Sequence, residues 1–204
     1  MKDFNHNPLM RNISYYETHA TEFYRRTVGV DLSSIQQVFT SLIPAGGRIL
    51  DAGCGVGRDA VWFARHGFQV LAIDASPAMV DIARSQGVDA QKILFEEMVF
   101  DGEFDAVWAC ASLLHVPHSE ISDVLARIHR ALKSHGVLYI SVKEGVGEGV
   151  AEDGRFFSYF SIDEMGALLA DHGRFGVVKV WANESPESSG NTRKWLNFLV
   201  HKRG

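Results

Sequence analysis

Three glycines at alternate positions follow a strand-like run that ends in an acid: Ile49-Leu50-Asp51-Ala52-Gly53-Cys54-Gly55-Val56-Gly57. Without β-carbons the backbone can turn tightly here and come close to a ligand. Asp74 stands 17 residues after Gly57, at the end of the next apolar run, where a carboxylate can take both hydroxyls of a ribose. The pair of segments reads as a nucleoside site, against the plainer alternative of an ordinary strand-to-helix turn. Gly55-Val56-Gly57-Arg58-Asp59-Ala60 also satisfies the dinucleotide pattern. In dinucleotide enzymes, however, the glycines bring a pyrophosphate to a helix N-terminus, and an acid just ahead of them opposes that charge.

Asp51 suits a ligand that carries an ammonium or a sulfonium, so the charge logic favours S-adenosylmethionine over NAD. Methyl transfer from a sulfonium is an in-line displacement that needs alignment of the reactants more than acid-base help. A hydroxyl or amine acceptor benefits from a base, and His115, at the mouth of a later strand, is the best-placed candidate. A soft anion or a thiol needs none. His115-Val116-Pro117-His118 also has the spacing of a metal pair, but Pro117 breaks the helix such a pair wants and no third ligand is evident, so a solvated loop and no metal are expected. Tyr16 or Tyr24 could cover the cofactor, since an aromatic face stabilises a sulfonium; the other aromatics near them read as the packed face of a helix. Arg155-Phe156-Phe157-Ser158-Tyr159 is either a core edge or an acceptor pocket, with Arg155 and Tyr159 its substrate candidates and Arg155 an anion binder or a surface ion pair.

These residues need a scaffold of alternating strands and helices. From Arg48 onward, apolar runs alternate with segments of helical period, the pattern of an α/β chain with a mostly parallel sheet. Strands are expected at Arg48–Ala52, Gln69–Asp74, Gln91–Glu96, Phe104–Cys110, Gly136–Lys143, Phe175–Asn183 and Lys194–His201. Helices are expected at Asp59–His66, at Ser76–Gln86 with a Ser cap and Pro at its first position, from His118 or Ser119 to Leu132, and at Ser161–His172 behind a capping box of Ser161 and Glu164. Two further helices, Tyr15–Thr27 and Leu32–Leu42, precede the sheet as an N-terminal cap over residues 1–45, ahead of one compact domain over 46–204. The glycine-rich, acidic stretch Glu144–Gly154 reads as a mobile lid loop, and Glu184–Thr192 as an exposed hairpin loop.

Composition bounds the partners. The 204 residues are 46% hydrophobic and carry 20 Lys and Arg against 25 Asp and Glu, a net charge of −5 that disfavours a phosphate backbone. Cys54 and Cys110 form neither a staple framework nor a zinc site, which suits a reducing cytoplasm, and both read as buried small residues that the cofactor would shield from alkylation. The longest apolar run, Ala106 to Val116, is shorter than the roughly 18 residues a membrane span needs, and no signal-peptide core is read near Met1. A small molecule is the expected partner, with no nucleic acid and no membrane, and a monomer or weak homodimer the expected state.

The sequence resembles the class I S-adenosylmethionine-dependent methyltransferases from about Tyr15 to the C-terminus. The resemblance rests on Leu50 to Gly57, on Val70-Leu71-Ala72-Ile73-Asp74-Ala75-Ser76-Pro77, on Phe104 to His115, and on Ala131-Leu132-Lys133-Ser134-His135-Gly136-Val137-Leu138. Gly57-Arg58-Asp59-Ala60, Trp108 to His115 and Trp195-Leu196-Asn197 look most like the small tellurite-resistance type. The resemblance implies a Rossmann-like seven-stranded sheet, mostly parallel with the last strand antiparallel and helices on both faces, and a cofactor across the carboxyl ends of the strands. It also implies that Gly53 and Gly55 approach the methionine part, with Cys54 and Gly57 in the same loop. Asp51 would bind the amino group, Asp74 the ribose, and the backbone of Cys110 or Ala109 would face the sulfonium. Adenine would rest between Ala75 or Met79 and Phe95, Glu96 or Glu97. The exit Ala109-Cys110-Ala111-Ser112 lacks the boxes of base-methylating enzymes. Three functions stay open: a small-molecule methyltransferase with a tellurite, selenite or thiol-like acceptor, a nicotinamide-dependent oxidoreductase, and a non-catalytic nucleoside-binding module.

Overall fold

Apolar runs buried on both faces become central strands, and their alternate residues feed two separate cores. The computed structural model describes residues 7–186 and 192–203. Its strands are β1 (Arg48–Ala52), β2 (Gln69–Asp74), β3 (Ala90–Lys92), β4 (Phe104–Cys110), β5 (Leu132–Lys143), β6 (Glu148–Val150), β7 (Phe156–Ser158), β8 (Phe175–Pro186) and β9 (Thr192–Lys202). The helices are α1 (Pro8–Thr27), α2 (Ser33–Thr40), α3 (Arg58–Arg65), α4 (Pro77–Ser85), α5 (Ile121–Ala131) and α6 (Ile162–Ala170).

The main sheet has seven strands in the order β3-β2-β1-β4-β5-β9-β8. β1 pairs in parallel with both β2 and β4, while β9 runs antiparallel to β5 and to β8. This is the expected Rossmann-like arrangement with the last strand reversed. Leu50, Ile73, Val107, Ala109 and Ile140 face one side and pack with Val124, Leu125 and Ile128 of α5 and Met165 of α6. Ile49, Trp108 and Tyr139 face the other side against Phe39 of α2 and Phe63 of α3. Trp108 and Tyr139 stack at 4.1 Å between ring centroids, and each large apolar side chain so buried contributes about 1.5–3 kcal/mol. No helix among the described residues is long and apolar enough to cross a membrane.

The bounds of β1, β2 and β4 agree with the sequence reading, and other elements differ for local reasons. α1 begins at Pro8, not Tyr15, because the Asn7 side chain accepts from the N–H groups of Leu9 and Met10 and Pro8 needs no donor there. β3 is three residues long instead of six, since the chain tightens into a 3-10 turn at Phe95–Glu97 that Glu97 closes by accepting from the Leu94 N–H at 3.0 Å. The glycine-rich stretch expected as a mobile loop instead supplies β6, which pairs antiparallel with β7 just beyond it, Glu148 opposite Ser158 and Val150 opposite Phe156. The expected hairpin loop shrinks as β8 reaches Pro186 and β9 starts at Thr192; its residues 187–191 lie outside the described residues.

α1 lies over the carboxyl ends of the strands. Its Glu17 accepts from the Ser76 hydroxyl at 3.0 Å and the Ala78 N–H at 3.1 Å, which docks it on the start of α4. Its buried Asn12 accepts from the Phe156 N–H at 2.8 Å and donates to the Phe156 carbonyl at 3.1 Å, which docks it on β7.

Candidate functional site

The strand order reverses between β1 and β4, and the crevice outside their carboxyl ends is where open α/β sheets bind ligands. Asp51, Gly53, Gly55, Asp74, Cys110 and Ser112 all converge there. Asp51 is 2% exposed, and its Oδ2 has no hydrogen-bond partner among the described residues. Burial, then the negative charge of Asp59, pushes its carboxyl well above the usual range, while Arg58 opposes the shift. A buried acid left with a free oxygen is a site prepared for a cation.

The glycine turn is fixed by hydrogen bonds to β2. The Gly53 and Cys54 N–H groups donate to the Ile73 carbonyl at 2.8 and 2.9 Å. Asp74 Oδ2 accepts from the Gly55 N–H at 2.8 Å and Oδ1 from the Ser76 N–H at 2.9 Å, which locks the carboxylate in place with lone pairs to spare. Burial nevertheless raises its titration, against those N–H donors. The glycines do different work. At Gly53, φ is +82° and an added Cβ would come within 2.3 Å of the Ser112 Cβ, so only glycine fits. Gly57 faces Ala83 of α4 at 2.9 Å by the same construction, so it serves helix packing and not the crevice.

The other expected cofactor residues divide. Phe95 reaches the crevice, with its Cζ 3.6 Å from where a Cβ on Gly53 would stand. Glu96 is exposed, and Glu97 is engaged in closing its own turn, so neither points to the crevice as clearly as Phe95 does. Ala75 is half-buried beside Asp74, whereas Met79 is buried under α1 with Val56, Phe23 and Tyr24. Both thiols titrate high because they are buried: Cys110 is pushed up to about 12, and Cys54 well above its usual value with Asp74 adding to burial. Neither is an activated nucleophile.

His115, the expected base, is a holding group. Its Nδ1 faces the Phe156 carbonyl at 2.9 Å and must donate, so Nε2 accepts from the Tyr16 hydroxyl at 2.8 Å. Burial drives its titration down to about 3, with the Phe156 carbonyl opposing the shift. At neutral pH it therefore stays neutral with its lone pair engaged. Tyr16 is itself pushed up by burial, against the charge of Arg155. Its ring stands 5.4 Å from Phe23, whose Cε1 lies 3.5 Å from where a Cβ on Gly55 would be, so both aromatics cover the glycine turn. Tyr24 packs behind them.

Arg155 is not an open anion site. Its guanidinium grips Asp153 through Nε and Nη2, lies 4.7 Å over the Tyr15 ring, and places Nη1 3.4 Å from the Tyr16 hydroxyl. His118 donates its backbone N–H to Glu148 at 2.7 Å, and its ring Nε2 meets the Tyr159 carbonyl at 3.0 Å. Thus both histidines of the His-Val-Pro-His segment latch the ribbon to the end of β4. Tyr159 packs on the edge of the larger core.

Asp59 accepts four hydrogen bonds: from Gln36 at 2.9 Å, from Arg58 at 2.9 and 2.8 Å, and from Trp108 at 2.9 Å. It ties α2, α3 and β4 together, and its charge bears on Asp51. Its only trace in the sequence is its place beside Arg58 after the last glycine. Ser112 and Asn12 have no such trace, because a lone Ser or Asn at a strand exit or helix start is ordinary.

Residues 49–136 match a family described as "Methyltransferase domain". This stretch, under half of the chain, is similar to a methyltransferase domain. Over 105 residues the chain is 38% identical to the ubiquinone biosynthesis O-methyltransferase of Xanthomonas oryzae, covering 48% of this chain and 43% of that protein. The chain spans about half the length, or less, of such curated relatives. The domain's fold agrees with that of a Burkholderia thailandensis 1,6-didemethyltoxoflavin-N1-methyltransferase solved with S-adenosylhomocysteine, at TM-score 0.75 and 22% identity over 96% of this chain and 88% of that one. It also agrees with a TehB-like methyltransferase of Corynebacterium glutamicum, at TM-score 0.67 and 23% identity over 91% and 99% of the two chains. At such identities the likeness is one of fold.

The crevice's own residues fit S-adenosylmethionine: an unpartnered buried acid for an ammonium, a fixed carboxylate for a ribose, and glycine where the backbone must come close.

Proposed function

We propose that the chain transfers a methyl group from S-adenosylmethionine to a small-molecule acceptor that is nucleophilic without help from a base. The observation that carries this is Asp51, buried with Oδ2 unpartnered beside the glycine turn. A pyrophosphate there would meet repulsion, whereas an α-ammonium would replace the missing hydrogen bond and neutralise the charge.

When bound, S-adenosylmethionine supplies an activated methyl group and a neutral thioether as leaving group. Asp51 holds the ammonium end, and Asp74, fixed by Gly55 and Ser76, takes the ribose hydroxyls. Phe95 and Ala75 flank the adenine, and the backbone at Ala109 and Cys110 faces the sulfonium. Tyr16 and Phe23 keep water from the crevice and turn an aromatic face toward the cation. The protein's contribution is alignment of the reactants, which in-line displacement rewards most.

The neutral, engaged His115 supports an acceptor of the thiol or chalcogen-oxyanion kind, tellurite and selenite included. The match to the Xanthomonas O-methyltransferase supports a second reading, an oxygen acceptor, for which phenols serve as probes. Calorimetric titration with S-adenosylmethionine and with NAD, followed by a screen of thiols, tellurite, selenite and phenols, tests both. Binding of NAD without S-adenosylmethionine defeats the proposal, and tight cofactor binding with no turnover of any acceptor favours a non-catalytic module. We expect a monomer or weak homodimer, which light scattering of the same sample measures.

A further inference from the structure

A second buried oxygen in the crevice has no partner. Ser112 is 7% exposed, and its Oγ makes no hydrogen bond to any described residue. It follows Ala111, a residue other than glycine at φ +53°, whose N–H is drawn to the Ser141 hydroxyl at 2.9 Å and the Ser141 carbonyl at 3.2 Å. This left-handed turn carries a steric cost for an L-residue, and the backbone adopts it where β4 meets the crevice. It sets the Ser112 side chain directly on Gly53: a Cβ built there would lie 2.3 Å from the Ser112 Cβ and 3.1 Å from its Oγ. The glycine is thus required by Ser112, and the hydroxyl is held over the same turn that Asp51 precedes.

Two unpartnered oxygens of opposite capability therefore meet at this turn. Ionised Asp51 only accepts, whereas a serine hydroxyl can donate. A zwitterionic amino-acid head presents the complementary pair, an ammonium and a carboxylate. We infer that Ser112 donates its hydroxyl hydrogen bond to the α-carboxylate of bound S-adenosylmethionine, so that Asp51 and Ser112 together recognise the zwitterionic head of the cofactor. This assignment rests on the function proposed above and makes Ser112 a binding residue, with no part in the transfer itself.

The test is calorimetric titration of the wild-type chain and Ser112→Ala with S-adenosylmethionine, with decarboxylated S-adenosylmethionine, and with 5′-methylthioadenosine, which lacks the whole head. Ser112→Ala should bind S-adenosylmethionine about tenfold more weakly, the size of one hydrogen bond to a charged group. Its affinity for the other two ligands should match that of wild type, which also shows that the variant is folded. Equal weakening for S-adenosylmethionine and its decarboxylated form, or no weakening for either, overturns the assignment. If the variant fails to fold, wild type alone decides: a preference below threefold for the carboxylated cofactor overturns it. Wild type that binds none of the three defeats the proposed function itself, and is thereby told apart from failure at Ser112.

Discussion

Replacing Asp51 with Asn keeps the shape of the side chain and removes its charge. An ionised carboxylate buried with one oxygen unpartnered costs about 1–3 kcal/mol, and the neighbouring charges of Asp59 and Asp74 add to that strain while Arg58 relieves part of it. The amide still leaves one polar group unpartnered, so only part of the cost is recovered. The cofactor-free variant should gain about 1 kcal/mol, a rise in Tm of roughly 2–4 °C for a chain of this length. Cofactor affinity should move the other way, by about 1.5–3 kcal/mol for a lost bond to a charged group, or roughly ten- to a hundredfold in Kd. The pH dependence has a definite sign. Because the folded carboxyl titrates above its unfolded value, its stabilising contribution is complete below the ordinary carboxylate range and is lost as pH climbs through the raised value. The gain from Asp51→Asn should therefore grow from acid toward neutral pH. Loss of the Asp51 charge also removes its repulsion with Asp74, which acts in the same direction. Melting curves from pH 4 to 8, with and without S-adenosylmethionine, read both effects. A variant that melts lower than wild type at pH 8 yet keeps the full thermal shift on adding cofactor would refute the reasoning.

Gly53→Ala should abolish cofactor binding and destabilise the fold by several kcal/mol, whereas Gly55→Ala, whose Cβ meets only Phe23 at 3.5 Å, should cost about 1–2 kcal/mol for its φ of +53°; equal melting points for the two would contradict the close approach of Ser112 to Gly53. His115→Ala should cost about 1–3 kcal/mol in stability and leave the shape of the kcat pH profile intact, because Nε2 is engaged by Tyr16; disappearance of an ascending limb near neutrality would restore His115 as the base. The same histidine, held neutral down to about pH 3, contributes stability that is full above about 6.5 and lost as pH falls toward 3, so wild type should soften in that window more than His115→Ala does. Cys54 and Cys110 should react slowly with iodoacetamide at pH 8 whether or not cofactor is present, since the fold already raises both thiols; fast labelling that cofactor suppresses would reinstate cofactor shielding as their main protection.

What the sequence made legible was local. β1 carries an acid one residue before its end, Asp51, β2 closes on Asp74, and β4 closes on the Ala109-Cys110 exit, so their ends and the crevice they outline follow from the order of residues alone. Ser76 and Pro77 announce α4, and Ser161 with Glu164 announces α6, because caps are made within one turn. The missing parts depend on partners far along the chain. The β6–β7 ribbon looks like a flexible glycine loop until His118 reaches Glu148 and Tyr159, and His115 looks like a free base until Tyr16, 99 residues earlier, donates to it. Arg155 looks equally suited to an anion or an ion pair, and Asp153, two residues before it, takes the charge. Even Gly53 is legible only in part. Its lack of a side chain marks a close approach, yet what approaches is Ser112, 59 residues later on the neighbouring strand's exit, and that contact carries the proposed recognition of the cofactor's charged head.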